Sequence, residues 1–518
     1  KQRTADGVQR RGAQVNRKGA YRFMEASKKK FLKNMVGFSM TTWIAFAIGL
    51  IASPIATRLF STSEMGKLNM FSTYAALFSA TCYLGLDQAY VRFFREPPGK
   101  STRSGMLTFC VATSLGFAVI ATLLCLFAWR AISSQVMVEQ DFGVFLCLAV
   151  YSFCQIQFRY LSLSYRMEQN AKLYTIQGVL QVVLTKIAYL AIAFNTALAK
   201  PSIVLLTVLM GAFTLVFTIL QRRQFDRGFV RQMDAPFIKN MAAYAAPLIP
   251  LAVMSWLNSS ISLVVLRNLM DVSAVGIYTS ALVLASTVNV IQTGFNTYWA
   301  PYVYENYQRD DKTRFFTVHR LMACLLTGFG LTITLLQAVV YLLLGAKFRG
   351  SVIYFPFLFL TPICYCLSET TGMGIGISKK SYWNTVIFLI SALVNIALCF
   401  VFIPLFKDAG AAMAAAGAAV VALVIRTAVG EKYYRAITDY RYLAYTLVLM
   451  LAASIANFVL RDLVLAKYGA LMVIYALALF LFRREIATLW GTFIQVAREG
   501  VGALKRKAAQ SSNKGDHT

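Results

Sequence analysis

Apolar stretches of about twenty residues recur along this chain from near residue 36 to residue 482, and short charged segments separate them. A bilayer core of ~30 Å asks for ~20 consecutive apolar residues in a spanning helix. The pattern predicts fourteen spans, near 36–58, 68–90, 106–129, 142–164, 174–195, 201–221, 240–266, 273–299, 318–344, 351–377, 382–405, 409–429, 441–460 and 465–482. Polar residues inside these spans fall in stripes. Span 4 carries Ser152, Gln155, Arg159 and Ser162 on one helical face. Span 5 carries Gln177, Gln181 and Thr185 at intervals of four, with Lys186 and Tyr189 adjoining. In span 7 stand Ser255, Asn258, Ser259 and Ser262, and in span 8 Asn289, Gln292 and Asn296. Such stripes mark a protein interior or a wet cavity, or else hydrogen bonds that join helices to one another. The first six spans read as cationic inside, the next six as polar and neutral.

Composition agrees with the pattern. Of 518 residues, 58% are hydrophobic and 14% charged, and the mean hydropathy is +0.59. A soluble chain carries ~25% charged residues. The expectation is an all-α polytopic membrane protein.

The net charge of +29 would suggest nucleic acid in a soluble protein, but here its placement reports topology. With a cytoplasmic N-terminus, forty of the 51 Lys and Arg fall in cytoplasmic segments, ten in outer ones, and Lys186 in mid-span. That alternation favours fourteen spans with both termini inside. The basic run Arg92, Arg95, Lys100 and Arg103, broken by Pro97-Pro98-Gly99, is then the cytoplasmic loop after span 2.

The segment FLKNMVGFSMTTWIAF (31–46) aligns with FIKNMAAYAAPLIPLA (237–252). Glu64-Met65-Gly66 then meets Ala274-Val275-Gly276, Gly85-Leu86-Asp87 meets Gly294-Phe295-Asn296, and Phe94-Arg95-Glu96 meets Val303-Tyr304-Glu305. A steady offset across an even number of spans predicts a parallel repeat about an axis along the membrane normal. The expected organisation is a basic cytoplasmic tail (1–34), a first lobe (35–221), a linker (222–239), a second lobe (240–429), two added spans (430–485) and a second basic tail (486–518). Met24 opens a plausible start, so residues 1–23 are expected to be an extension upstream of the native protein; otherwise the tail lies on anionic lipid.

The chemistry is sparse. A mid-membrane ammonium such as Lys186 costs at least ~2.5–3.5 kcal/mol, so it asks for an acidic partner or water. Lys186 and Arg159 are candidate binding residues, with Gln155 and Gln181 beside them and Asn296 in the second lobe. Asp87 pairs either with Arg159 across the lobe or with Arg92 at its own helix end. Arg58 and Arg267, at the outer ends of spans 1 and 7, form an outer basic gate or snorkel to the headgroups. Glu369 binds a proton or pairs with Lys379. Pro54, Pro247 and Pro250 interrupt the first helix of each lobe, while AGAAMAAAGAA (409–419) is a close-packing surface. Nine cysteines within apolar runs and two histidines provide no zinc spacing or disulfide framework. No phosphate-binding loop occurs, and no loop is long enough for a soluble catalytic domain. Transport is expected rather than enzyme chemistry, with no metal or cofactor.

At GLIASPIATRLFSTSEMGKLNMFSTYAALFSATCYLGLDQAYVRFFRE (49–96), SYRMEQNAKLY (164–174) and IPLFKDAGAAMAAAGAA (403–419) the chain resembles the polysaccharide repeat-unit flippases of the multidrug/oligosaccharidyl-lipid/polysaccharide (MOP) exporter superfamily. The resemblance covers about 33–485. It implies a bacterial cytoplasmic-membrane protein that moves an undecaprenyl-diphosphate-linked oligosaccharide from the inner to the outer leaflet by alternating access. Polysaccharide polymerase and glycosyltransferases of the same pathway would be its partners, and coupling to H⁺ or Na⁺ is left open. Arg159 and Lys186 would meet the diphosphate, with Arg92 at the entrance. Family members commonly have twelve spans; fourteen also fits the related lipid II flippases. A drug or cation antiporter of the same fold would want carboxylates in spans 1 and 7, which have none.

Overall fold

The computed structural model describes residues 42–309 and 312–491. The basic tail 1–34, most of the 31–46 half of the repeat alignment and most of the tail 486–518 lie outside the described residues. Every regular element among the described residues is helical. Helix α1 is Thr42–Leu59. It is followed by α2 (Thr62–Cys82), α3 (Leu86–Phe93), α4 (Arg103–Cys125), α5 (Trp129–Met137) and α6 (Phe142–Met167). Next come α7 (Ala171–Val183), a π-turn at Leu184–Ala188, α8 (Tyr189–Ala193) and α9 (Ala199–Leu220). The middle of the chain forms α10 (Ala235–Ala245), α11 (Leu248–Leu269), α12 (Val272–Ala285) and α13 (Thr287–Asn306). Then follow α14 (Lys312–Leu335), α15 (Gln337–Tyr341), α16 (Phe355–Thr371), α17 (Met373–Ile377) and α18 (Tyr382–Phe406). The last three are α19 (Asp408–Tyr433), α20 (Arg441–Val459) and α21 (Val464–Leu481).

Among the described residues, eleven helical stretches are long and apolar enough to cross a membrane. Ala346–Ile353 with α16, bent by 66°, makes a twelfth. The chain is a multi-pass membrane protein. The two expected spans outside this set are helical too, but α2 carries Glu64, Lys67, Asn69 and six Ser or Thr, and α7 gives way to the π-turn.

The proline expectation needs correction. Helix α1 runs without a break through Pro54, because a proline removes only one ladder bond and the rest of the helix holds. At Pro247 the interruption is real, since α10 ends at Ala245 and α11 starts at Leu248. Pro250 lies in the first turn of α11, where its missing N–H has no partner to lose.

The described residues divide into two compact units, one of those up to 52 with 71–253, the other of 53–70 with those from 254 onward. The first is built on α4 and α6. Tyr90, Tyr160 and Phe237 are buried there with Met106, Cys110 and Ile156. Ser114 and Tyr160 share a hydrogen bond of 2.7 Å at its centre. Gly85, between α2 and α3, has φ 71°, and a Cβ there would stand 2.5 Å from the Ala245 carbonyl oxygen, so both backbone and space require glycine.

In the second unit α16 is buried along almost its whole length. Small residues of α19 (Ala409, Gly410, Ala411, Ala412, Ala414) are buried, as the small-residue stretch predicts. Paired polar side chains join the helices: Thr327 donates to Thr446 at 2.8 Å, and Gln337 Nε2 donates to Asn457 Oδ1 at 2.6 Å. Helices α2 and α12 approach to backbone contact. A Cβ on Gly66 would lie 1.8 Å from the Val272 carbonyl oxygen, and one on Gly276 would lie 2.0 Å from that of Thr62. Hydrogen bonds Thr62–Ser273 and Asn69–Thr279 flank this seam.

Candidate functional site

In the first unit, Asp87 opens α3 and Arg159 stands on α6. Arg159 Nε and Nη2 donate to the same Asp87 oxygen, Oδ2, at 3.2 and 2.9 Å. Gln88 Nε2 adds a third donor at 2.9 Å. Asp87 is buried, whereas the Arg159 side chain keeps 40% of its exposure. Arg159 Nη1 has no hydrogen-bond partner among the described residues, so a cationic edge is presented in a fixed direction. Of the two partners open to Asp87, the structure shows Arg159. Arg92 is exposed and lies over the Phe93 ring, 5.6 Å from its centroid.

Gln155 lies one turn before Arg159 on α6 and donates to the Tyr151 hydroxyl at 2.8 Å. Lys186 sits in the π-turn and is exposed; Gln181, one turn earlier, is half-buried. An inserted residue of this kind resets which face the following side chains occupy, and such turns are frequent at functional sites. No ion pair joins Lys186 to a carboxylate among the described residues. Several polar residues of the stripes bond only within their own helices: Ser152 donates to the Leu148 carbonyl at 2.7 Å and Thr185 to that of Gln181 at 2.9 Å. Gln177 differs, being fully buried with neither amide atom hydrogen-bonded among the described residues.

In the second unit, Arg58 is exposed and donates to the Leu342 carbonyl at 3.3 Å, while Arg267 is half-buried in the last turn of α11. Asn296, on α13, has a buried Oδ1 without a partner among the described residues. Glu369 does not pair with Lys379. Arg426 Nη1 from α19 donates to Glu369 Oε1 at 3.0 Å and to Ser368 Oγ at 2.9 Å. Arg426 was missed because the alanine-rich start of its helix marks α19 as packing. Its signal was an arginine inside an apolar span facing a span with one carboxylate. The same unit holds a cavity of about 360 Å³ bordered by Asn258, Asn289, Thr361 and Tyr365. No group of His, Cys, Asp and Glu among the described residues could hold a metal ion.

Solved structures of membrane transporters share the fold of this multi-helix body. Similarity to the lipid II flippase MurJ in an inward closed conformation covers 87% of this chain and 99% of that one, at 14% identity and TM-score 0.59. Similarity to an inward-facing multidrug resistance MATE family transporter covers 77% and 95%, at 15% identity and TM-score 0.55. For a MATE transporter in complex with MaD3S the shares are 80% and 96%, at 16% identity and TM-score 0.51. No curated protein sequence matches the chain. The sequence model of the family described as polysaccharide biosynthesis protein matches residues 31–307, more than half of the chain. The chain belongs to that family.

Proposed function

We propose that this protein flips a polyprenyl-diphosphate-linked saccharide from the inner to the outer leaflet of a bacterial cytoplasmic membrane by alternating access. The observation that carries the reading is Arg159, held by Asp87 with one edge of its guanidinium uncommitted. A lipid diphosphate needs a fixed cation in a wet path for its head while its tail stays in lipid, and planar guanidinium groups suit phosphate oxygens. Lys186 supplies a second positive charge, and Gln155 and Gln181 polar neighbours. Positive interior charge weighs against a cationic drug as cargo.

The reading takes the chain as fourteen crossings in two six-helix lobes, with α20 and α21 added and both termini cytoplasmic by the charge distribution. The seam of α2 with α12 supports the repeat. Gly66 and Gly276 align with one another, as do Thr62 and Val272, and each glycine meets the other segment's carbonyl. Reciprocal contacts of this kind are what a two-fold axis produces.

Two cargoes fit. The family match favours a polysaccharide repeat unit. Similarity to a lipid II flippase over nearly all of that protein favours a peptidoglycan precursor. Complementation separates them. The wild-type chain and a Lys186→Ala variant, matched for membrane level, are expressed in a strain lacking its repeat-unit flippase and in one depleted of its lipid II flippase. Restored surface polysaccharide identifies the first cargo, and restored growth the second. Purified protein that fails to bind undecaprenyl diphosphate in native mass spectrometry would overturn the proposal for both.

A further inference from the structure

We infer that the cavity of the second unit is a saccharide subsite that takes a neutral N-acetylated sugar ring of the cargo. This rests on the flippase reading above and assigns the sugar, as distinct from the diphosphate, to a separate place.

The cavity's volume, about 360 Å³, falls within the ~300–1,000 Å³ usual for small-molecule sites. No Asp, Glu, Lys, Arg or His borders it. Its polar groups are amides and hydroxyls, from Asn258, Ser259, Ser286, Asn289, Thr361 and Tyr365. Leu263, Leu282 and Leu358 make its apolar wall. A charged ligand finds no counter-ion here. The nearest carboxylate along α16, Glu369, one turn beyond Tyr365, is committed to Arg426. The two charges of that pair cancel, so neither a cation nor an anion is drawn in.

Two features show binding capacity held open. The Asn289 side chain is exposed and makes no hydrogen bond among the described residues. Pro362 stands inside α16, and both Pro362 and Leu358 border the cavity. A proline has no N–H, so the Leu358 carbonyl loses its helical donor four residues on, beside the cavity. The Asn258 amide, by contrast, is oriented by donating to the Tyr365 hydroxyl. Alternating donors and acceptors match sugar hydroxyls and an acetamido N–H, while the leucines accept the acetyl methyl and the ring C–H face. Water alone would use the amides but not the leucine wall.

The test uses the purified full-length protein and two probes, undecaprenyl diphosphate and undecaprenyl-diphosphate N-acetylglucosamine, with affinities read by native mass spectrometry. Wild type is expected to bind the sugar-bearing lipid about tenfold more tightly, the worth of one or two neutral hydrogen bonds. Asn289→Ala and Tyr365→Phe should each erase most of that preference and leave binding of the sugar-free lipid as it was, which also reports that they fold. Arg159→Ala should weaken both lipids alike. Equal binding of the two lipids by wild type, or a preference intact in both cavity variants, overturns the subsite and leaves the flippase reading standing. Failure of wild type to bind either lipid overturns both.

Discussion

Arg159 grips one oxygen of Asp87 with two of its nitrogens, Nε at 3.2 Å and Nη2 at 2.9 Å, although the two residues lie on different helices. The pair is half in and half out, with 10% of the acid's side chain exposed and 40% of the base's. Its worth lies between that of an exposed pair, ~0–1 kcal/mol, and the ~3–5 kcal/mol cost of breaking a buried one. A double-mutant cycle of Asp87→Ala and Arg159→Ala, read by thermal unfolding in detergent, should give a coupling of about 1–2 kcal/mol. Arg159→Lys keeps the charge and loses the fork, so transport should fall without vanishing. A coupling near zero would mean that the acid does not position the base.

Glu369 and Arg426 should behave as a structural pair. Arg426→Ala leaves a half-buried carboxylate alone and strips Ser368 of its donor, so unfolding should come earlier by about 1–3 kcal/mol. The exchanged pair Glu369→Arg with Arg426→Glu should recover part of the loss. If Glu369 instead carried a proton, Glu369→Gln would flatten the pH profile of transport and the exchange would rescue nothing.

Backbone contact at the α2–α12 seam makes Gly66→Ala and Gly276→Ala costly. Their Cβ atoms would stand 1.8 and 2.0 Å from carbonyl oxygens. Overpacking costs ~1–3 kcal/mol, and rigid backbone puts these two at the upper end. Gly116→Ala in α4, with open space around it, is the control and should be neutral or stabilising. Equal melting temperatures for all three would refute the close approach.

Asp141 caps α6, accepting from the Gly143 and Val144 amides, and pairs with Lys200 at 2.5 Å. The hydrogen bond from Lys200, aided by the capping amides, holds its carboxyl below the usual carboxylate value of 3.8. A depressed folded pKa gives stability that is present above the unfolded value and lost as pH falls through the folded one. Asp141→Asn should therefore lower the melting temperature at pH 7, and the gap to wild type should close on acidification below about pH 4. A gap independent of pH would assign the effect to shape instead of charge.

The helical membrane class was legible because twenty-residue apolar runs have no other economical use in a chain with 14% charge. Partners were harder. Asp87 had Arg92 nearby on its own helix and Arg159 far along the chain, and only the packing of α3 on α6 selects the second. Glu369 suggested Lys379 by proximity, yet its partner lies 57 residues away on α19. Pro54 reads as a breaker by residue type but sits inside an intact helix. The second-unit cavity was half visible, as the polar residues of spans 7 and 8. Its other half comes from α16, through Leu358, Thr361 and Tyr365, which only the packing of that helix brings to the same place.

The seam between Gly66 and Gly276 makes two distant positions one locus for inheritance. A substitution at either removes room from the other helix's backbone, and a backbone carbonyl offers no side chain to shorten in compensation. Neither segment can drift there by itself. Under the proposed repeat, divergence such as a cation on α6 and uncharged amides on α11 and α13 had to arise away from the place where the two segments touch.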